Sequence, residues 1–103
     1  MSGTYVTNIA DFLDSSGQIV PEMPEEARQL AGFLVLIIDA ATPRRSTGFY
    51  NTRIRCRMKD CEGAVIASMN AAQGEIQWAC DVCKHNGVIR NWENTKWDRR
   101  AEQ

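Results

Sequence analysis

One histidine, His85, stands in the whole sequence, and no nucleophile is set up with it in a recognisable catalytic pattern. Also missing are a glycine-rich loop of the phosphate-cradling kind and a carboxylate pair in a credible general acid–base setting. The Asp11/Asp14 pair falls on a short acidic segment and reads as a solvated face. Enzymatic chemistry therefore has little to stand on, and the chain reads as non-catalytic. Internal repeats and low-complexity runs are absent as well. The apolar run from Phe33 to Ala41 is far short of the ~20 residues needed to span a bilayer. The opening Met-Ser-Gly-Thr-Tyr has no basic region of the secretory kind, so a cytoplasmic location is expected.

Net charge is also small, −1, but unevenly spread. Residues 1–43 hold one arginine against six carboxylates, a balance of −5, and residues 44–103 hold eleven bases against seven acids, a balance of +4. A strongly basic nucleic-acid binder is not indicated by bulk charge, so any such role rests on a local patch.

Residues 1–55 contain no cysteine. All four cysteines fall between positions 56 and 83, as Cys56-Arg-Met-Lys-Asp-Cys61 and Cys80-Asp-Val-Cys83. Two close pairs separated by an expected hairpin have the spacing of a tetrahedral, all-thiolate metal site, and zinc is the expected ion. In a reducing compartment, cysteines so paired more often bind metal than form disulfides. Cys56, Cys61, Cys80 and Cys83 are thus the candidate ligands. A rubredoxin-like iron site remains open on ligand type alone. His85, two residues past Cys83, reads as a turn residue beside the site. Four thiolates on one dication would leave −2 there and lower the second half to about +2.

Secondary structure follows from periodicity and punctuation. Tyr5-Val6-Thr7 is a short extended segment. Thr7 or Asn8 then caps a brief helical turn in which Ile9, Phe12 and Leu13 share a face. Asp14-Ser-Ser-Gly17 closes it. The main helix is placed at 24–41: proline suits its first turn, Glu25 and Glu26 complement its positive end, and Thr42-Pro43 ends it. Leu30, Phe33, Leu34, Ile37 and Ile38 belong to a helix that is apolar almost all round. Such a helix must be buried on more than one side, so it is also a candidate interaction helix, with a homodimer through 24–41 in view.

Residues 44–52 read as a linker, with Arg44 and Arg45 near the helix C-terminus. Four strands follow, at 53–56, 63–69, 75–80 and 87–92. Alternation puts Ile76, Trp78 and Cys80 on one face, which would set Trp78 over the metal site. Strand, cysteine turn, hairpin, cysteine turn and strand together resemble a zinc ribbon. The second turn, with Gly87 after it, matches a zinc knuckle, whereas the first departs from Cys-x-x-Cys. The chain also looks like a group of small bacterial proteins with no established function. That likeness lies in Tyr5-Val6-Thr7-x-Ile9-x-x-Phe12-Leu13-Asp14 and in Trp78-x-Cys80-x-x-Cys83 through Trp97-Asp98. It brings no catalytic residues with it.

The expected fold is α+β: a helical part at 1–43, a linker at 44–52 and an antiparallel zinc ribbon at 53–103, forming one compact domain. The expected function is a zinc-stapled protein–protein interaction module. The competing use is nucleic-acid binding through Arg53, Arg55, Arg57, Lys59 and Arg90, with Lys96, Arg99 and Arg100 nearby and Trp92 and Trp97 as stacking platforms.

Overall fold

The computed structural model describes residues 5–44, 48–58, 60–70, 74–93 and 95–98. Strand β1 (Tyr5–Asn8) leads into a 3₁₀ turn at Ile9–Phe12, with Asn8 Oδ1 accepting a hydrogen bond from the Ala10 N–H at 2.9 Å. The expected cap is thus Asn8, and the brief helical turn it opens is 3₁₀. Asp14 organises the next reversal. Its Oδ1 accepts from the Ser16 N–H, the Ser16 hydroxyl and the Gln18 N–H, and Gly17 takes the left-handed φ of +83° that the turn requires. These bonds, the Ser16 hydroxyl first among them, hold the Asp14 carboxyl below its ordinary value. The chain then doubles back to bridge Leu13 with Ile19.

Helix α1 spans Glu25–Ala41, with Glu25 and Glu26 in its first turn. The α-helix ends at Ala41, before Thr42-Pro43, as expected. Thr42 keeps helical angles and the chain tightens into a 3₁₀ turn over Thr42–Arg44. The reason lies in the Thr42 side chain, which is fully buried and donates to the Ile38 carbonyl at 2.9 Å, with the Trp97 carbonyl 3.4 Å away. Those acceptors hold Thr42 in the helical region against the steric preference of a residue before proline.

The remaining strands are β2 (Tyr50–Arg55), β3 (Ala64–Asn70), β4 (Glu75–Cys80) and β5 (Asn86–Arg90). They form one five-stranded sheet in the order β1-β5-β4-β3-β2. The pairings from β2 to β5 are antiparallel, but β1 joins β5 in parallel, Val6 beside Val88 and Thr7 beside Ile89, so the sheet is mixed. Strand β2 starts three residues earlier than its alternation suggests. A bulge between Asn51 and Arg55 puts Arg53 at φ +64°, yet burial still alternates along the strand, with Thr52 and Ile54 half-buried and Arg53 and Arg55 exposed.

One sheet face is covered by α1. Val65, Ala67 and Met69 of β3, Ile76 and Trp78 of β4, and Ile89 of β5 are buried there against Phe33, Leu34, Ile37 and Ile38, with Leu30 packed at the margin. Ile9 completes the core. Each fully buried Ile or Leu contributes roughly 1.5–3 kcal/mol of transfer free energy. The sides of α1 that its sequence leaves for a partner are therefore largely occupied by the chain itself. Among the described residues of the helix, Leu36 is the large apolar side chain left in solvent, at 54% exposure. The fold is α+β, with one α-helix among the described residues.

Candidate metal centre

Strand pairing delivers Cys80 to the end of the covered face. Val65 pairs with Cys80, and Ala67, Trp78 and Gly87 lie side by side one step further in. Trp78 stacks its ring edge against Phe33 (centroids 5.3 Å, 82°) and lies over Gly87, where an added Cβ would come within 2.8 Å of the indole. Glycine at 87 is what lets this ring lie flat on β5 beside the cysteine end of the sheet.

Two turns complete the site. After Cys80 the chain folds so that the N–H groups of Val82 and Cys83 point at the Cys80 sulfur, at 3.3 and 3.4 Å. The Cys80 N–H donates to the His85 carbonyl at 2.8 Å, and Lys84 closes the turn at a left-handed φ of +65°. In the longer first turn the Cys61 N–H donates to the Met58 carbonyl (3.2 Å), Asp60 takes φ +62°, and the Gly63 N–H reaches the Cys61 sulfur at 3.4 Å. Asp81 fastens one turn to the other: its N–H donates to the Ala64 carbonyl at 3.0 Å, and its Oδ1 accepts from the Ala64 N–H at 2.9 Å.

All four sulfurs lie within 4.8 Å of one another. Close contacts cross between the turns, Cys56 Sγ to Cys83 Sγ at 3.7 Å and Cys61 Sγ to Cys80 Sγ at 3.6 Å. Burial is graded, with Cys80 and Cys56 buried, Cys61 intermediate and Cys83 exposed. No disulfide links them. Burial pushes the Cys56 thiol up to about 12. Burial also acts against the Cys80 thiolate, but the Cys83 and Val82 N–H donors and the neighbouring thiols outweigh it and bring Cys80 down to about 7. Cys61 is raised: the Gly63 N–H favours its thiolate, while burial and Cys80 prevail. Sulfurs this close accommodate several negative charges only around a cation. The cluster can hold a metal ion.

His85 stands outside the cluster and turns its ring to Trp78, with centroids 5.5 Å apart. Two contributors had no signal in the cysteine spacing. Gly63 is one, since a Cβ there would lie 2.5 Å from the Cys80 sulfur and 2.9 Å from Asp81 Oδ1. Asp81 is the other. Reading Gly63 simply as the start of a strand hid its part in the site.

The arginine-rich set is dispersed. Arg53 and Arg55 are exposed on β2, while the Arg57 guanidinium sits 5.8 Å from the centroid of the Phe33 ring. Arg90 lies three strand intervals from β2, roughly 14 Å at sheet spacing, and is held by Glu75, with Nε 2.8 Å from Oε2. Trp92 is no stacking platform: it is fully buried and donates Nε1–H to the Gly74 carbonyl at 3.1 Å. Trp97 packs partly buried against the core, with the Lys96 ammonium 5.0 Å from its ring centroid. Arg45, Lys59, Arg99 and Arg100 lie outside the described residues.

Among known proteins, no family model, no curated sequence and no solved structure matches this chain.

Proposed function

We propose that this protein is a small, non-catalytic interaction module whose four cysteines hold one structural zinc ion. The observation that carries the reading is the spacing of the sulfurs. A tetrahedron of thiolates about 2.3 Å from zinc has edges of about 3.8 Å, and the contacts across the two turns measure 3.7 and 3.6 Å. Backbone N–H groups aimed at cysteine sulfurs supply the outer-shell bonds that orient thiolate ligands.

Four protein thiolates close the coordination sphere, which leaves no position for water or substrate and fits a structural ion rather than a catalytic one. The ion would clamp the turn after β2 to the turn after β4. A protein partner is favoured over nucleic acid because Arg90 and Arg57 are engaged within the molecule and Trp92 is core. Apolar side chains are also left in solvent at the cysteine turns, Met58 at 44% and Val82 at 64% exposure.

Elemental analysis and native mass spectrometry test the metal. One zinc per chain and a colourless protein are expected, and chelation should unfold the cysteine end. Iron with visible colour would replace zinc in the reading, and a folded chain without metal would end it. For the partner class, an oligonucleotide that binds with a steep salt dependence would turn the reading to nucleic acid.

A further inference from the structure

We infer that Cys83 is an oxidation site, that Cys56 resolves it as a disulfide, and that the bound metal ion leaves in the process. The inference rests on the metal reading above. Its first support is the gradient of burial across one ligand set. Cys80, at 1% exposure, is shielded and its sulfur already accepts two N–H groups, whereas Cys83 faces solvent. An open groove bordered by Met58, Asp60, Val82 and His85 reaches Cys83 and Cys61 from outside. A small oxidant thus meets Cys83 first.

The second support is which sulfur waits beside it. Sequence proximity favours bridges within the pairs, Cys80 with Cys83 and Cys56 with Cys61. The geometry sets Cys83 against Cys56 at 3.7 Å, across the two turns. The thiolate is the reactive form of cysteine, and metal binding holds it so.

The Cys83 thiolate attacks one peroxide oxygen; the S–O bond forms, the O–O bond breaks, and hydroxide leaves. Cys83 is then a sulfenic acid. The Cys56 thiolate attacks that sulfur; the S–S bond forms, the S–O bond breaks, and a second hydroxide leaves. Solvent protons convert both hydroxides to water. Two electrons have passed from two thiolates to the peroxide, and the dication, left with two ligands, departs hydrated. The new bridge joins the same two turns that the metal joined, so the oxidised chain stays folded.

The test uses the full metal-loaded chain, its metal content measured before any oxidant is added. Hydrogen peroxide is added at one equivalent, released metal is read with a chelating dye, and remaining thiols are alkylated. Cleavage before Asp60 and Asp81 then separates all the pairings at issue. The expected result is one ion released per chain, a Cys56–Cys83 bridge as the main product, and Cys61 and Cys80 alkylated. In Cys56→Ser, the Cys83 sulfenic acid should persist and be trapped by dimedone; if that variant does not fold, the mapping of the native sequence decides. A dominant Cys80–Cys83 or Cys56–Cys61 bridge overturns the proposal, as do four intact thiols in excess peroxide. A starting protein that holds no metal fails the metal reading itself, before the oxidation is reached.

Discussion

The two cysteine turns place two sulfurs each at the same end of the sheet by different means. The second is short: two residues separate Cys80 from Cys83, and two N–H groups converge on the Cys80 sulfur. The first spends four residues between Cys56 and Cys61; the N–H of Gly63, beyond its second cysteine, returns to the Cys61 sulfur, and the Met58 N–H turns back to the Cys56 sulfur. Compactness in one turn is matched by reach in the other. What equalises them is Asp81, which binds the backbone of Ala64 on both its N–H and C=O sides. The lesson is that ligand spacing alone does not define such a site. The residues that lock one turn to the other carry as much of the geometry as the cysteines do.

The sharpest way to break the pairing of the turns is Gly63→Ala. Its Cβ would meet the Cys80 sulfur at 2.5 Å and the Val82 Cβ at 2.9 Å, atoms of the opposite turn that the sheet holds in place. Outer-shell disruption of this kind costs about 10–100-fold in metal affinity, and contact with a ligand sulfur puts this variant at about 100-fold. Competition against a calibrated chelator measures it. Unchanged affinity would mean that the turns adjust independently of each other.

Gly87→Ala probes the support behind the second turn. Here the added Cβ would come within 2.8 Å of the Trp78 indole, which is wedged between Phe33 and β5. Overpacking of this kind costs about 2 kcal/mol, read as a lower denaturant midpoint at constant m-value. Metal affinity should fall much less than in Gly63→Ala, because the strain lies in the helix-covered core.

Much of this was legible in the sequence because it is local. The long helix announced itself by an apolar pattern with acidic residues at its start, strand β4 by the alternation of Ile76, Trp78 and Cys80, and the sulfur cluster by cysteine spacing. What stayed hidden depends on partners distant along the chain. The parallel seat of β1 beside β5 joins residues some eighty positions apart, and four residues of β1 do not specify an orientation. The bulge at Arg53 is masked by a regular Arg-Ile-Arg alternation. The burial of Trp92 needs the Gly74 carbonyl as acceptor for its indole N–H, a contact that periodicity does not encode. The dispersal of the arginines followed from strand order, which a linear patch count cannot see.

The finest test of the two turns uses their left-handed residues. Lys84 at φ +65° closes the short turn and Asp60 at φ +62° precedes Cys61 in the long one. A side chain with a Cβ loses roughly 1–2 kcal/mol in that region, whereas aspartate loses less because its short polar group bonds locally. Glycine removes the penalty but adds about 0.5–1 kcal/mol of chain entropy to be lost on folding. Lys84→Gly should therefore stabilise the metal-loaded protein by about 1 kcal/mol at most, since the Lys84 Nζ contact to the Asp81 carbonyl that it removes is exposed and weak. Asp60→Gly should be close to neutral. Paired denaturation curves decide between them. Equal gains in both variants would show that Asp60 has no local support for its conformation, and that the two turns carry the same strain despite their different lengths.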